Sequence, residues 1–325
     1  MNRFNQELRL NNFMDKKLGS RNQTILLSRQ DKIDFSANLI KLKCNSTIDD
    51  IASKTIHGDI FKVAKYLPEK SVDLLFIDPP YNLRKSFNTI VFAQKTIDEY
   101  SKWIEKLIIS IRHILKDEAT IHFCGDWRSS LSIQRVLEQF FIIRNRITWE
   151  REKGRGSSCN WKNNTEDIWF CTVSDKYKFY PDRVKLKRKV LAPYKDSEGE
   201  PKDWQKSSNG SYRLTHSSNI WTDLSIPFWS MTENTNHPTQ KPEKLLAKTI
   251  LASSDEGDFV FDPFLGSGTT SVAAKKLNRI YSGVELDKEF CCITEKRLKL
   301  ADDNPSIQGY QYGCFWERNT KPVMD

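Results

Sequence analysis

No two of the seven cysteines stand in Cys-x-x-Cys spacing, and the five histidines do not pair at metal-ligand intervals. Cys44, Cys124, Cys159, Cys171, Cys291, Cys292 and Cys314 are spread along the chain, which argues against a zinc site and against a secreted disulfide framework. Long hydrophobic runs are missing as well. The longest apolar stretch, Trp103 to Leu115, is interrupted by Glu105, Lys106 and Arg112, so no segment reads as a membrane span. The amino terminus is polar and basic with no apolar core, unlike a signal peptide. These absences set the expectation of a reduced, cytoplasmic protein with no metal and no membrane partner. What the chain does carry is positive charge: 51 Lys+Arg against 42 Asp+Glu give +9 over 325 residues. That balance suits nucleic acid or another polyanion, and the length allows one large domain with an insertion, or two domains.

The apolar run Val72-Asp73-Leu74-Leu75-Phe76-Ile77 stops at Asp78-Pro79-Pro80-Tyr81. Neither proline can donate to a sheet ladder, so a buried strand must end there and present its last groups at its carboxyl edge. In open α/β sheets ligands bind at that edge. A carboxylate, a rigidly held carbonyl and an aromatic face suit a planar amino group. Before this strand, residues up to about Lys54 show no sustained period and read as an arm or partly ordered extension. A short strand at Ile56-His57 then ends in Gly58-Asp59, and a helix-like segment from Ile60 to Tyr66 leads into Val72, one βαβ unit. Asp59 is thus a candidate contact to a cofactor near Asp78. Beyond Tyr81, helical periods at Asp98 to Leu115 and Leu131 to Phe141 alternate with strands at Thr120–Cys124, Ile142–Trp149 and Glu166–Val173. The alternation predicts a mainly parallel sheet covered on both faces.

After Trp149 comes a basic, glycine-containing loop from Arg151 to Ser158, in which Lys153 and Arg155 are candidate phosphate contacts. The segment from Arg183 to Trp221 is rich in Lys, Arg, Ser and Asn. Lys187, Arg188 and Lys189 lie in it, with Tyr194, Trp204, Tyr212 and Trp221 interleaved, a composition that predicts a surface-mounted recognition module. His237-Pro238-Thr239-Gln240-Lys241-Pro242 precedes a helix and brings a hydroxyl and a cation onto one turn. Next, the strand Phe259-Val260-Phe261 ends in Asp262, followed by Pro263-Phe264-Leu265-Gly266-Ser267-Gly268-Thr269-Thr270 and a helix. The strand Ile280 to Val284 ends in Glu285, about twenty residues past the glycines, where an acid grips ribose hydroxyls. Ser271 stands where a third glycine would be, which disfavours a pyrophosphate site. Asp262 would repel phosphate and suits a cationic ligand such as a sulfonium bearing an ammonium group.

These three motifs, in this order, resemble the catalytic, cofactor and methionine-side motifs of bacterial DNA amino-methyltransferases of the β group, over roughly Ile56 to Leu300. The resemblance implies a Rossmann-like, mostly parallel seven-stranded α/β sheet with helices on both faces and a permuted motif order. It also implies four regions: an amino-terminal arm (1–55), a catalytic half (56–182), a target-recognition insertion (183–222), and a cofactor half with the tail (223–325). S-adenosylmethionine is the implied methyl donor, and an amino group of a base flipped out of double-stranded DNA the acceptor. Asp78, Pro79, Pro80 and Tyr81 carry over as catalytic. Asp262, Phe264, Gly266, Ser267, Gly268 and Thr269 carry over around the methionine portion, with Glu285 on the ribose. Thr239 and Lys241, beside His237, fall near the methionine carboxylate, and Asp59 near the adenine ring. Aspartate at position 78 goes mostly with adenine N6 in this family, and serine with cytosine N4. A carbon-5 cytosine enzyme would need a Pro-Cys pair, which does not occur here. The expectation is a DNA adenine-N6 methyltransferase, nucleoid-associated, of a restriction–modification system or solitary. A cognate endonuclease and a second copy of the chain are further candidate partners. A cytosine-N4 enzyme, an RNA- or release-factor-type amino-methyltransferase and a non-catalytic DNA-binding protein are the alternatives.

Overall fold

The structure is a computed structural model that describes residues 19–83, 85–87, 90–151, 158–190, 194–207, 210–318 and 320. Lys153 and Arg155 lie outside the described residues.

The main sheet has eight strands. In chain order they are β1 (Lys54–His57), β2 (Val72–Ile77), β3 (Leu115–Gly125), β4 (Ile142–Glu150) and β5 (Thr165–Thr172). A second, smaller sheet takes β6 (Leu186–Lys189), β7 (Gln205–Ser207) and β8 (Gly210–Thr215). The main sheet then resumes with β9 (Ile220–Trp221), β10 (Phe259–Asp262) and β11 (Ile280–Glu285), and the small sheet closes with β12 (Tyr310–Gln311) and β13 (Cys314–Trp316). Strand order in the main sheet is β1-β11-β10-β2-β3-β5-β4-β9. All neighbours run parallel except β5, which is antiparallel to both β3 and β4. The seven expected strands are therefore joined by an eighth, since Ile220 and Trp221 pair with Thr148 and Trp149 at the open edge of β4.

Helices cover both faces. Helix α1 (Arg29–Asn38) and the one-turn helices α2 (Ile48–Ile51) and α3 (Ile60–Val63) precede β2; α4 (Ile97–Ile111) and α5 (Ser130–Phe140) follow it; α6 (Glu243–Ser253), α7 (Thr269–Lys276) and α8 (Lys288–Asp303) belong to the second half. Helix α4 begins where Thr96 and Glu99 cap each other's backbone. It buries Tyr100, Ile104, Leu107, Ile108 and Ile111, one face at helical spacing. Helix α6 is buried along its whole length because it lies between the two sheets. Leu245, Leu246 and Ile250 pack with the main sheet, while Ala247, Leu251 and Ala252 pack with Val184, Leu186 and Phe315. Its two buried ammonium groups are matched by one carboxylate: Lys244 and Lys248 reach Asp223 at 2.8 and 2.7 Å.

Three expectations from the sequence need correction. The chain before β1, expected as an arm or partly ordered extension, is packed against the main body over its described part. Helix α1 opens with a Ser28–Asp31 capping box and buries Phe35 with Leu27 against Phe290, Cys292 and Ile293 of α8. The interleaved aromatics of the insertion are mostly interior: Trp204, Tyr212 and Trp221 are buried, and among the four only Tyr194 is exposed. Their spacing reports the packing of a small sheet, where β8 pairs antiparallel with β6 and β7. Finally, the tail grouped with the cofactor half also joins the small sheet, because β13 lies parallel to β6 with Phe315 opposite Leu186.

Candidate active site

Adjacent parallel strands deliver their carboxyl ends to one edge, and four acids meet there. Across β1, β11, β10 and β2, the strand ends bring Asp59, Glu285, Asp262 and Asp78 in that order. Leu75 pairs with Phe261 and Asp262 with Gly283, which fixes the relative heights of the three inner strands. The four acids line a single cleft of about 310 Å³. Pro79, Pro80, Tyr81, His237, Thr239, Lys241, Phe264, Gly266, Ser267 and Thr269 line it too, so the predicted catalytic and cofactor residues come together, with Gly268 capping α7 alongside.

One end of the cleft is a charge cluster around Asp78. The Lys241 ammonium donates to Asp78 Oδ2 at 2.6 Å, and the Tyr81 hydroxyl donates to Asp78 Oδ1 at 3.0 Å. A residue not singled out in the sequence completes the cluster. Glu166 Oε2 lies 3.1 Å from Tyr81 Oη, whose single proton it shares with Asp78, and 3.4 Å from Lys241 Nζ, while its Oε1 pairs with Arg151 at 2.5 Å. Burial pushes the Asp78 carboxyl above its ordinary range and Glu166 adds to this, with Lys241 and Tyr81 pulling the other way. Burial alone would lower the Lys241 ammonium, but Asp78 and Glu166 hold it above its usual value. The turn itself is braced from α4, where Tyr100 Oη donates to the Pro80 carbonyl at 2.9 Å. Lys241 therefore sits on the carboxylate that opens the Asp-Pro-Pro-Tyr turn, and it lines the same cleft as the glycine turn.

The other end is built on the glycine turn. Asp262 accepts from Phe264 N at 2.9 Å and from Thr270 Oγ1 at 2.5 Å, neither of them charged. Burial raises its pKa to about 7. Glu285 accepts from Gly266 N at 2.8 Å and from Asp287 N at 2.7 Å, and burial likewise raises it to about 7. Gly268 has φ +80°, and a Cβ there would stand 2.5 Å from Thr294, so the turn requires glycine on both counts. Arg297 of α8, another residue sequence reasoning missed, donates to the Ser267 carbonyl at 2.8 Å and to Thr269 Oγ1 at 2.9 Å, while its other nitrogen pairs with Glu243. Gln240 shapes the preceding segment, accepting from Thr235 N and donating to the Glu233 carbonyl. Between the acids lie apolar walls: Trp103 stands 5.9 Å from Phe264, and the His237 ring meets Phe290 edge-on at 4.5 Å. Asp59 caps α3 through Phe61 N at 3.1 Å.

Elsewhere, Lys187, Arg188 and Lys189 lie on β6, away from the residues that line this cleft. Among the described residues no group of His, Cys, Asp and Glu could hold a metal ion, and no helix is long and apolar enough to cross a membrane.

A mostly parallel sheet with acids at four neighbouring strand ends, and a glycine turn opening a helix between them, defines a Rossmann-like enzyme of the nucleotide-cofactor type. Within that class the chain belongs to the N6_N4_Mtase family, described as DNA methylase, whose model matches residues 72–296. It is 32% identical over 257 residues to the DNA adenine methyltransferase YhdJ of Escherichia coli K12, covering 77% of this chain and 84% of that protein. It is also 32% identical over 251 residues to the type II methyltransferase M.HpaI of Haemophilus parainfluenzae, covering 75% and 74%. In fold it is similar to the PvuII DNA methyltransferase, a cytosine-N4-specific enzyme (18% identity, TM-score 0.54, 75% of this chain and 85% of that one).

Proposed function

We propose that this DNA methylase transfers the methyl group of S-adenosylmethionine to the N6 amino group of an adenine flipped out of duplex DNA. The observation that carries the reading is the shared cleft: an Asp-Pro-Pro-Tyr turn and a second buried acid, Asp262, line one cavity. The residues present suit the cofactor. Asp262 is a buried carboxylate whose hydrogen-bond partners are uncharged, so a cationic sulfonium or ammonium group would favour its ionised form. Glu285 keeps acceptor capacity for ribose hydroxyls, and Trp103 and Phe264 offer an apolar slot for a purine. Bound S-adenosylmethionine supplies an electrophilic methyl carbon on sulfur.

The rest is the work of the protein. An exocyclic amino nitrogen is a poor nucleophile because its lone pair is delocalised into the ring. Asp78 and the Pro79 carbonyl each accept one amino hydrogen, which localises the lone pair on nitrogen and aims it at the cofactor end of the cleft. As the nitrogen–carbon bond forms and the carbon–sulfur bond breaks, positive charge develops on the nitrogen, and the Asp78 carboxylate stabilises it. The nitrogen then gives up one proton, and the Asp78 carboxylate that accepts its hydrogen bond is the base for it. A carboxylate has about four acceptor sites, so Asp78 can hold Lys241 and Tyr81 and still take an amino hydrogen. The Tyr81 ring is the platform for the flipped base, which is unreachable inside the helix.

Adenine rather than cytosine is supported by aspartate at position 78 and by similarity to the adenine methyltransferase YhdJ; similarity of fold to a cytosine-N4 enzyme does not separate the two. Similarity to a type II methyltransferase supports a place beside an endonuclease of the same specificity. The test is to incubate the protein with duplex DNA and labelled S-adenosylmethionine and identify the modified nucleoside by mass spectrometry. N6-methyladenine is expected, with Asp78→Ala lowering turnover about 10²-fold or more while cofactor binding persists. N4-methylcytosine as the product, or near-normal turnover in the variant, overturns the assignment.

A further inference from the structure

The carboxyl-terminal hairpin β12–β13 lies beyond residues 72–296, the segment the family model matches. It nevertheless completes the small sheet, because β13 pairs with β6 through Phe315 and Trp316. Together they wall an open groove of about 650 Å³, separate from the catalytic cleft. The charged lining residues are Lys187, Lys202 and Arg213 against the single acid Asp203, so the groove is net positive. Lys187 is carried on aromatic rings, its ammonium 4.9 Å from the Trp316 ring and 5.7 Å from that of Tyr212.

The hairpin tip is the unusual part. Tyr312 and Gly313 form its two-residue turn, with φ +54° and +73°. Two positive φ values in a two-residue hairpin loop mark a type I′ turn, whose first position strongly prefers Asn, Asp or Gly. An aromatic residue is a poor fit there. Tyr312 is also 61% exposed, so its own packing does not account for its presence, and it lines the basic groove. An exposed ring held at a strained position beside cations offers a packing face next to sites for backbone phosphates. The hairpin is tied to the catalytic edge as well. Arg318, two residues past β13, donates to the Leu224 and Glu150 carbonyls at 2.8 and 3.2 Å, and Glu150 adjoins the Arg151 that pairs with Glu166.

We propose that this groove docks duplex DNA next to the target base, with Lys187 and Lys202 on phosphates and Tyr312 packed against a sugar or base of the bound duplex. The carboxyl-terminal hairpin is thereby part of the recognition surface. The proposal rests on the reading of the protein as a DNA methyltransferase. It is tested with Tyr312→Asn, a substitution the turn should accept without strain. Thermal stability and S-adenosylmethionine affinity are expected to stay level or rise, while the Kd for a fluorescent duplex carrying the methylated site increases about tenfold. Lys202→Gln, an exposed change, is expected to flatten the dependence of log Kd on log salt by about one phosphate contact. Duplex affinity within twofold of the parent in Tyr312→Asn, or an unaltered salt slope in Lys202→Gln, overturns the groove while leaving the methyltransferase reading intact. An unmodified protein that neither binds nor methylates any duplex overturns both.

Discussion

At the residue scale, the informative group is Glu166, because it shares with Asp78 the ammonium and the hydroxyl that hold the Asp78 carboxyl. Asp78 and Glu166 share Lys241 and Tyr81, and Arg151 supplies the second cation, so the cluster is balanced. Removing one member leaves buried charge uncompensated. Glu166→Gln should therefore lower turnover roughly tenfold to a hundredfold with little change in cofactor affinity. A merely structural role would do no more. Because Glu166 is one of the groups that raise Asp78, its neutralisation should also move the acid limb of the kcat profile to lower pH. An unmoved acid limb at reduced rate would show that Glu166 does not act through Asp78. The sequence made Asp78, Asp262 and Glu285 legible because each ends an apolar run, and parallel strands bring such ends to one edge. Glu166 begins its strand. It reaches the same edge only because β5 runs antiparallel, with Glu166 opposite Trp149, and strand direction leaves no local mark in the residues.

At the element scale, what was least legible is what depends on long-range partners. Helix α1 has few apolar residues and its Ile33 is exposed, so its periodicity is weak; it is held by one face of α8. Ion pairs Lys32–Glu289 and Lys296–Asp31 join the same two helices at 2.9 and 2.8 Å. Being partly exposed, they add little beside the apolar contact. Phe35→Ala should cost roughly 3–5 kcal/mol of stability, seen as a clear fall in Tm. Phe290 packs with Phe35 on one side and stands in the cofactor cleft on the other. The same variant should therefore weaken S-adenosylmethionine binding more than DNA binding, and equal losses in both would mean that α1 only stabilises the fold. The small sheet shows the converse. Its basic residues and aromatics were visible, but a cationic run, Lys187-Arg188-Lys189, followed by spaced aromatics looks alike in a recognition surface and in a small buried core. The pairing partner, β13, stands over a hundred residues away in the chain.

On the scale of the whole molecule, charge is segregated. A protein of net +9 gathers Asp59, Asp78, Asp262 and Glu285 around one cleft, while cations line the groove of the small sheet. The cleft acids make folding and cofactor binding pH-dependent in opposite senses. Asp262 and Glu285 rise to about 7 from ordinary values of 3.8 and 4.5 because they are buried. A carboxyl whose folded pKa is raised contributes stability that is fully present below about pH 4 and is lost as pH rises through about 7. On this account the ligand-free protein loses stability from these two groups across that window, since near neutrality it must hold two desolvated negative charges. A cationic cofactor beside Asp262 reverses the preference, favouring the carboxylate and expelling its proton. S-adenosylmethionine affinity should thus fall about tenfold per pH unit below 7, and binding near pH 6.5 should release protons, measurable as a buffer-dependent enthalpy in calorimetry. The thermal shift produced by a fixed saturating concentration should be larger at pH 8 than at pH 6. Asp262→Asn should abolish most of that difference by removing the titrating group. Equal shifts at both pH values in the unmodified protein would mean that Asp262 does not face the charge of the cofactor.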